Sequence, residues 1–562
     1  MFRHFILLAF VFGLLASCNR GNDANQREKV FRYNQTGGLK SLDPALAGDR
    51  ATVWATTQIF NGLFDLDENL HPHPALAETW TISPDEQTYT FKIRKGVKFH
   101  DNPCFAGGIG RELKAKDFVY SFKRILDPKT ASTGAWIFRS CVLLKPDGYA
   151  SDSAFIALDD YTLQVKLARK FPPFMELLTM PYAFVVPEEA IEKYGKEFRK
   201  NPVGTGAFML TSPEQWQEGQ SLTLVKNTNY WKRDFNGNRL PYLDVVQLQF
   251  IEDANQAFRE FEAGKLDFIT GLPENAKDLL DNTGKIKESS RKQYNIEKIP
   301  YMNTEYVGFQ LSPENYGKDT AHPFLNQKFR QALSYAIDRE ALVRSLRNGI
   351  GIPGVSGVTP AAIPSFDSIR VKGYTYDQRK ALELLKEAGF SGGANLPEIV
   401  LSTYSSDKPI AEFLQKQWEA IGVKVKIQQN QFVTHKDLVD NGKVNFFRGS
   451  WLGDYPDAEN YFAMFYSKNL SPAGPNKTHY INKEFDKLYD EAQEKDDHEE
   501  NHFLLYEFYH KMDQMIMDSA PVIVLYYDEI LRVYNKNIIG LKTNNTNLLV
   551  LETVDFKKAD VE

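Results

Sequence analysis

One short stretch of the sequence combines residue types that could hold a small polar ligand. Residues 446–462 carry Arg448, Trp451 and Asp454 together with two glycines. A positive charge, an aromatic wall, a lone negative charge and glycines that let a ligand approach the backbone are the parts of a binding edge. The alternative is an ordinary strand-to-turn loop in which Asp457 supports the turn.

The preceding elements indicate how this stretch is positioned. Residues 399–403 and 423–427 have the character of strands, and a helix from Pro409 to Ile421 ends at Gly422 between them. A strand, a helix and a strand in about thirty residues form a βαβ unit, which predicts a largely parallel sheet. Because ligands bind at the carboxyl ends of strands in open α/β sheets, residues 446–454 fall where the next such end is expected.

Other patterns predict local structure. Residues 87–100 alternate between apolar and polar side chains, which indicates a half-buried strand. Asp253 and Asp338 are placed to cap helices at their amino ends, as is the Asp of Tyr376-Asp377. The run Val-Gly-Thr-Gly-Ala-Phe at residues 203–208 lacks the Gly-Lys-Ser/Thr of a phosphate loop and is interpreted as a structural turn.

The stretch around Asp454 resembles the ligand loop of a known family. A Gly-Asp-Tyr-Pro-Asp run at residues 453–457, preceded by Trp451 and Arg448 at three-residue steps, is similar to extracytoplasmic solute-binding family 5. These proteins are the oligopeptide and dipeptide receptors of ABC importers. The family often has Pro after the second Asp, where this chain has Ala458.

Further family-like motifs follow in the same order along the chain, and the resemblance covers residues 39 to 541. They are Leu42-Asp43-Pro44, residues 59–63, 74–80, 89–100 and 117–124, the turn at 203–208, Gly264 to Asp267, and Phe329 to Arg339. The resemblance implies an α/β fold of two lobes, the periplasmic-binding-protein-like fold of the large class, with an extra α+β subdomain on the first lobe. Lobe I is expected at 30–56, 184–288 and 519–562, the subdomain at 57–183 and lobe II at 289–518.

The resemblance also implies roles for particular residues. Asp454 would pair with the ammonium of a peptide's amino terminus, Trp451 would line a side-chain pocket, and Arg448 would meet the peptide's terminal carboxylate. The remaining residues expected to bind substrate are Ser450, Leu452 and Tyr527, the last through alignment of the strand at 522–527.

The amino terminus has the pattern of a lipoprotein signal peptide at residues 1–17. A short basic segment precedes the apolar run from Phe5 to Leu15, which is too short for a stable membrane anchor. The end of the run, Leu-Ala-Ser before Cys18, resembles a lipobox and implies lipidation of Cys18. The alternative is a free cysteine beside an ordinary cleavage site. Residues 18–29 are polar and are expected to form a flexible tether.

Composition and cysteine count limit the expected partners and the possible disulfides. The 562 residues carry a net charge of −6 without a basic block, so nucleic acid is not an expected partner. The sequence indicates no cofactor and is consistent with a monomer. Cys104 and Cys141 remain after Cys18 and form either a disulfide or two buried thiols.

One catalytic motif competes with these expectations. Residues 498–502 read His-Glu-Glu-Asn-His, which matches a zinc peptidase motif with His498 and His502 as ligands and Glu499 as base. The charged flanks favour a solvated helix face, and a third ligand is missing at the usual spacing, although Glu529 could serve in principle.

The expected function is capture, without catalysis, of short peptides in extended form between two closing lobes. Delivery to an ABC permease and its ATPase subunits would follow, from a lipid-anchored position on a bacterial membrane facing the periplasm or the cell exterior. The alternatives are a receptor of the same fold for an oligosaccharide, a nickel chelate or haem, and the surface zinc peptidase.

Overall fold

The computed structural model describes residues 28–557 except 36–37, 272–277, 282, 318–320 and 495–501, and it describes His502 by its backbone alone. The predicted signal peptide, the lipidation at Cys18 and the motif residues His498 and Glu499 therefore lie outside the described residues.

The described chain contains twenty strands and fifteen α-helices. The strands are β1 (Val30–Asn34), β2 (Phe64–Leu66), β3 (Pro72–Pro74), β4 (Ala77–Ile82), β5 (Thr88–Ile93), β6 (Phe155–Asp159), β7 (Thr162–Lys166), β8 (Phe208–Met209), β9 (Trp216–Gln217), β10 (Ser221–Lys226), β11 (Val245–Gln249), β12 (Phe268–Thr270), β13 (Tyr294–Phe309), β14 (Ile352–Pro353), β15 (Ile399–Tyr404), β16 (Val425–Asn430), β17 (Phe446–Leu452), β18 (Val522–Asn535), β19 (Ile538–Ile539) and β20 (Asp555–Phe556). The helices are α1 (Arg50–Ile59), α2 (Ala115–Leu126), α3 (Trp136–Arg139), α4 (Phe174–Leu177), α5 (Glu188–Tyr194), α6 (Ala254–Glu262), α7 (Glu288–Gln293), α8 (Gln327–Tyr335), α9 (Arg339–Leu346), α10 (Gln378–Glu387), α11 (Lys408–Glu419), α12 (Phe432–Asp440), α13 (Glu459–Phe462), α14 (Lys483–Gln493) and α15 (His502–Ser519).

The two lobes share one sheet, whose strand order is β16-β15-β17-β13-β18-β12-β1-β11-β10-β8. The parallel pairing of β15 with β16, from Ile399 opposite Val425 to Tyr404 opposite Asn430, confirms the predicted βαβ unit. β17 joins on the other side of β15, also in parallel. The carboxyl ends of these three strands therefore lie at one edge of the second lobe.

The chain crosses between the lobes within β13 and β18. These long antiparallel strands pair from Tyr294 opposite Asn535 to Gly308 opposite Val522, and the register shifts between Pro300 and Thr304. The first part of β13 lies with the first-lobe strands, whereas its last part pairs with β17. Each crossing strand therefore belongs to both lobes, and the boundaries at 289 and 519 stay predictions.

The extra subdomain combines the antiparallel sheet β4-β5-β7-β6 with α2 and smaller helices. In β5, Tyr89, Phe91 and Ile93 are buried and the residues between them are not, which confirms the predicted half-buried strand. The subdomain shares a continuous apolar core with the first lobe, whereas the second lobe has two clusters on the faces of its sheet.

The predicted caps and the glycine turn are confirmed. The carboxylates of Asp253, Asp338 and Asp377 each accept a backbone N–H three residues ahead, in the first turns of α6, α9 and α10. A Cβ on Gly204 would lie 2.1 Å from the carbonyl oxygen of Ile59, so these glycines serve close backbone packing.

The two described cysteines are free thiols, so of the two alternatives the disulfide is not formed. Cys141 is buried, and its Sγ donates to the carbonyl oxygen of Ile137 at 3.3 Å. Cys104 is half-buried. Burial raises the pKa of Cys104 to about 11 and that of Cys141 to about 12, which makes both poor nucleophiles. Among the described residues, no helix is both long and apolar enough to cross a membrane.

Candidate ligand-binding site between the lobes

The site is built on β17, which passes from the core of the second lobe to its surface. Phe446, Phe447 and Arg448 are buried at its start, whereas Ser450 and Leu452 are exposed at its end. The strand is held between β15 and β13. Residues after 449 are therefore presented from a rigid scaffold at the carboxyl edge of the sheet, as the sequence predicts.

The side chain of Asn460 fixes the loop that follows. Its Oδ1 accepts hydrogen bonds from Trp451 Nε1 at 2.9 Å and from the backbone N–H of Asp454 at 3.2 Å. Asn460 lies in α13 and is 5% exposed. The carboxylate of Asp457 accepts the N–H of Glu459 at 2.7 Å, so it also supports the turn. Asn460 was not predicted from the sequence, because an amide inside a helix has no signal without its distant partners.

Asp454 carries the negative charge of the site. Its side chain is exposed, yet surrounding protein replaces much of its water, and this desolvation raises the pKa of the carboxyl to about 6 against the opposing effect of a hydrogen bond with Asn460. No charged side chain of the described residues contributes to this pKa. Asp454 is therefore a carboxylate in reach of solvent that has no cationic partner within the described protein.

The extra subdomain of the first lobe faces this carboxylate through Tyr182. Burial raises the pKa of Tyr182, and the negative charge of Asp454 raises it further. The Tyr182 hydroxyl contacts Thr133 Oγ1 at 3.3 Å. Next to Asp454, the ring of Tyr455 stacks on Trp136 of the extra subdomain with centroids 6.3 Å apart. The site thus lies where the two lobes meet.

Arg448 was expected to meet a ligand carboxylate, but its side chain is buried inside the second lobe. Its side chain has no exposed surface and pairs with Glu305 and Asp407, each at 2.6 Å. It also donates to the carbonyl oxygens of Tyr306 and Gly449. Although desolvation opposes the charge, the two carboxylates raise the pKa of Arg448. All its donors are used inside the second lobe, so Arg448 positions β17 and does not present a ligand group.

Tyr527 also differs from its predicted place in the cleft. It is 1% exposed, packs in the second-lobe core and donates through its hydroxyl to the carbonyl oxygen of Gly357 at 2.7 Å. Its burial follows from its position in β18, which lies inside the shared sheet. Burial raises the pKa of Tyr527.

The two smaller predicted residues lie at the exposed end of β17. Ser450 donates through Oγ to Asn303 Oδ1 at 3.0 Å, and Leu452 is 48% exposed. Trp451 lies between them and is half-buried. Trp451, Ser450, Leu452 and Asp454 are thus brought together at one edge, as predicted, whereas Arg448 and Tyr527 are not.

An apolar surface at the same edge was missed by the sequence analysis. Phe432 is 63% exposed and Val433 is 78% exposed, directly after β16, and the ring of Tyr404 at the end of β15 meets Phe432 edge-on at 5.7 Å. The signal available in the sequence was an apolar pair immediately after a strand that ends a βαβ unit. Exposed apolar groups at the carboxyl edge of a sheet are typical of a binding edge.

The residue considered as a third zinc ligand has another role. Glu529 lies on the crossing strand β18, pairs with Lys298 at 2.8 Å and accepts the N–H of Gly351 at 2.7 Å. Within the described residues, no three His, Cys, Asp or Glu side chains are grouped as a metal site would require.

Two lobes joined by two crossing strands, with a candidate ligand edge where they meet, are the architecture of a bilobal solute-binding protein. The family described as "Bacterial extracellular solute-binding proteins, family 5 Middle" matches residues 71–472. The chain belongs to this family of bacterial extracellular solute-binding proteins.

Individual relatives cover nearly the whole chain. The oligopeptide-binding protein OppA of Bacillus subtilis is 28% identical over 573 residues, which span 98% of this chain and 97% of that protein. The dipeptide-binding protein of Escherichia coli is 27% identical over 92% of each chain.

Solved structures are similar in fold. The periplasmic binding protein DppA of Helicobacter pylori in complex with the peptide STSA is 25% identical, with a TM-score of 0.72 over 94% of this chain and 98% of that one. The unliganded open form of the murein tripeptide binding protein MppA has a TM-score of 0.76 over 95% and 98% of the two chains at 24% identity.

Proposed function

We propose that this protein captures short peptides with a free amino terminus between its two lobes and delivers them to the permease of an ABC importer. The observation that carries the proposal is Asp454, an accessible carboxylate on a loop between the lobes that has no cationic partner among the residues described. Relatives named as oligopeptide-, dipeptide- and glutathione-binding proteins, which span most of the chain, support it.

The charge of Asp454 selects the ligand's amino terminus. A peptide ammonium would form a charge-assisted hydrogen bond with the carboxylate, and such bonds contribute about 1.5–3 kcal/mol. An acetylated amino terminus has no charge and one N–H, so it leaves the carboxylate partly desolvated without its counter-ion. Peptides with free amino termini are therefore preferred by about 10-fold to 150-fold.

The rest of the peptide would lie extended along the edge of the second lobe. Backbone hydrogen bonds of an added strand give affinity without reading the sequence. Trp451 and Leu452 offer apolar contacts near the amino terminus, and the surface of Phe432 and Val433 offers them further away. Because the ligand touches both lobes it favours the closed arrangement, which a permease and its ATPase subunits would read.

The proposal includes the cellular setting. A lipid on Cys18 would anchor a monomer to a bacterial membrane, facing the periplasm or the cell exterior, with residues 18–29 as the tether. The protein would bind without catalysis. These parts are supported by the sequence pattern at the amino terminus and by membership of an extracellular solute-binding family.

Isothermal titration calorimetry tests the proposal. The protein without residues 1–25 is partly unfolded and dialysed to remove bound ligand, refolded, and titrated with di- to pentapeptides, glutathione, oligosaccharides and nickel chelates. We expect binding of peptides near micromolar Kd, about −8 kcal/mol, and a Kd weaker by about 10-fold to 150-fold in Asp454→Ala. Binding of a sugar or chelate without any peptide would overturn the proposal.

A further inference from the structure

The extra subdomain and the second lobe each place a buried residue in the other's core. Leu70, in the turn between β2 and β3 of the subdomain, is 3% exposed and packs in the second-lobe cluster that contains Tyr461. Tyr455, directly after Asp454 in the second lobe, is 5% exposed and packs in the first-lobe cluster. The two units are therefore docked by an exchange of apolar side chains beside the proposed ammonium site.

The backbone at Leu70 shows that its placement has an energetic cost. Leu70 has φ +67°, the left-handed region that a branched apolar residue rarely adopts. The turn holds it there, because the carboxylate of Asp67 accepts the N–H groups of Asn69 and His71, each at 2.8 Å. Strained conformations persist only where the surrounding structure holds them, and they are found more often at functional sites than elsewhere.

Tyr455 is held from both sides. Trp136, at the first position of α3 in the subdomain, stacks on its ring at an interplanar angle of 30°. Its hydroxyl donates to the buried carboxylate of Glu459, which also accepts the hydroxyl of Tyr489. A movement of the subdomain away from the second lobe would therefore release the residue next to Asp454 from one of its two supports.

A polar contact also joins the subdomain to the second lobe. Lys170, which follows β7 in the subdomain, donates through Nζ to Glu86 Oε1 at 2.6 Å and to the backbone carbonyl of Glu494 at 3.0 Å. Glu494 follows α14 of the second lobe. Three separate contacts, from Leu70, Trp136 and Lys170, thus join the subdomain to the lobe that carries Asp454.

We propose that Leu70 and Trp136 form a latch that docks the extra subdomain on the ligand loop and slows the release of a bound peptide. This inference rests on the proposed function and assigns a role to the subdomain that the peptide contacts leave unexplained. Leu70 and Trp136 act as positioning residues. They stabilise the closed arrangement and hold Tyr455, and with it Asp454, in place.

The test is a measurement of peptide dissociation by stopped flow, with a tripeptide that has a free amino terminus and a fluorophore at its carboxyl end. Leu70→Ala removes the apolar contact, and we expect the dissociation rate to rise on the order of 10-fold to 50-fold with association changed less than twofold. Trp136→Ala should raise the dissociation rate about 2-fold to 10-fold. Trp136→Phe keeps a ring against Tyr455, so its dissociation rate should return close to that of the wild type. Leu158→Ala, at a 54% exposed leucine of the same subdomain, is the matched control.

Small-angle scattering of the unliganded proteins gives a readout that needs no peptide. We expect a larger radius of gyration for Leu70→Ala and Trp136→Ala than for Leu158→Ala, because the undocked arrangement becomes more populated. Dissociation rates and radii equal to those of the control would overturn the latch. If the wild type binds no peptide, the proposed function fails and the radii alone decide. If Leu70→Ala does not fold, the comparison of Trp136→Ala with Trp136→Phe decides.

Discussion

Replacing Arg448 by methionine separates a structural role from ligand binding. The guanidinium lies against Glu305 and Asp407, whose side chains are only 10% and 15% exposed. Methionine would keep the apolar volume but leave two nearly buried carboxylates without their cation. Removing one partner from a buried ion pair costs about 3–5 kcal/mol, so we expect a loss of this size in the free energy of unfolding of the second lobe.

Urea unfolding followed by tryptophan fluorescence measures this loss, as a lower midpoint at an unchanged slope. Arg330→Met is a matched control, because Arg330 is 6% exposed and donates to the backbone carbonyls of Phe324, Ser519 and Ala520. In the described part of the chain no carboxylate pairs with Arg330, so its removal should cost about 1–3 kcal/mol. A loss for Arg448→Met below about 1 kcal/mol would refute the reasoning.

Peptide binding by the same variant gives a second test of whether Arg448 positions β17 or contacts the ligand. If Arg448 only positions β17, Arg448→Met weakens peptides with free and with amidated carboxyl termini by the same factor. Calorimetry with both kinds of peptide measures this ratio. A loss confined to peptides with a free carboxylate would show that Arg448 contacts the ligand and would contradict the buried arrangement described above.

Two further predictions concern the ligand loop. Because desolvation raises the pKa of Asp454 to about 6, the carboxylate is charged at pH 7.5, and peptide affinity should fall as the pH drops through 6, approaching 10-fold per unit below it. Titrations from pH 5 to 8 measure this, and a profile of Asp454→Asn that is as steep as that of the wild type would contradict it. Asn460→Ala removes the acceptor shared by Trp451 Nε1 and the Asp454 N–H, so we expect about a 10-fold weaker Kd and a loss of about 1–3 kcal/mol in the free energy of unfolding. Calorimetry of this variant beside Asn441→Ala, an exposed amide on the same lobe, checks it, and equal affinities would count against a positioning role for Asn460.

The local structure followed from the sequence where short-range rules decide it. Alternation predicted the buried face of Tyr89, Phe91 and Ile93, and the caps at Asp253 and Asp338 need only neighbouring backbone N–H groups. The fold and the order of its motifs followed from the family resemblance, which the match over residues 71–472 confirms.

The burial and the contacts of single charged and aromatic side chains could not be predicted in the same way. Arg448 is used internally because Glu305 and Asp407, which are 143 and 41 residues away in sequence, converge on it. Tyr527 is buried because its strand is interior to a sheet that both lobes share. The position of a lobe boundary is equally hard to predict, since β13 and β18 each continue through the crossing as one strand.

The pairing of Asp454 with a peptide ammonium is the central claim, and a double-mutant cycle tests it most directly. Calorimetry would compare one peptide and its N-acetylated copy on the wild type and on Asp454→Asn. We expect a coupling free energy of about 1.5–3 kcal/mol between the ammonium and the carboxylate. A coupling below about 0.5 kcal/mol, with the peptide still bound, would contradict the account.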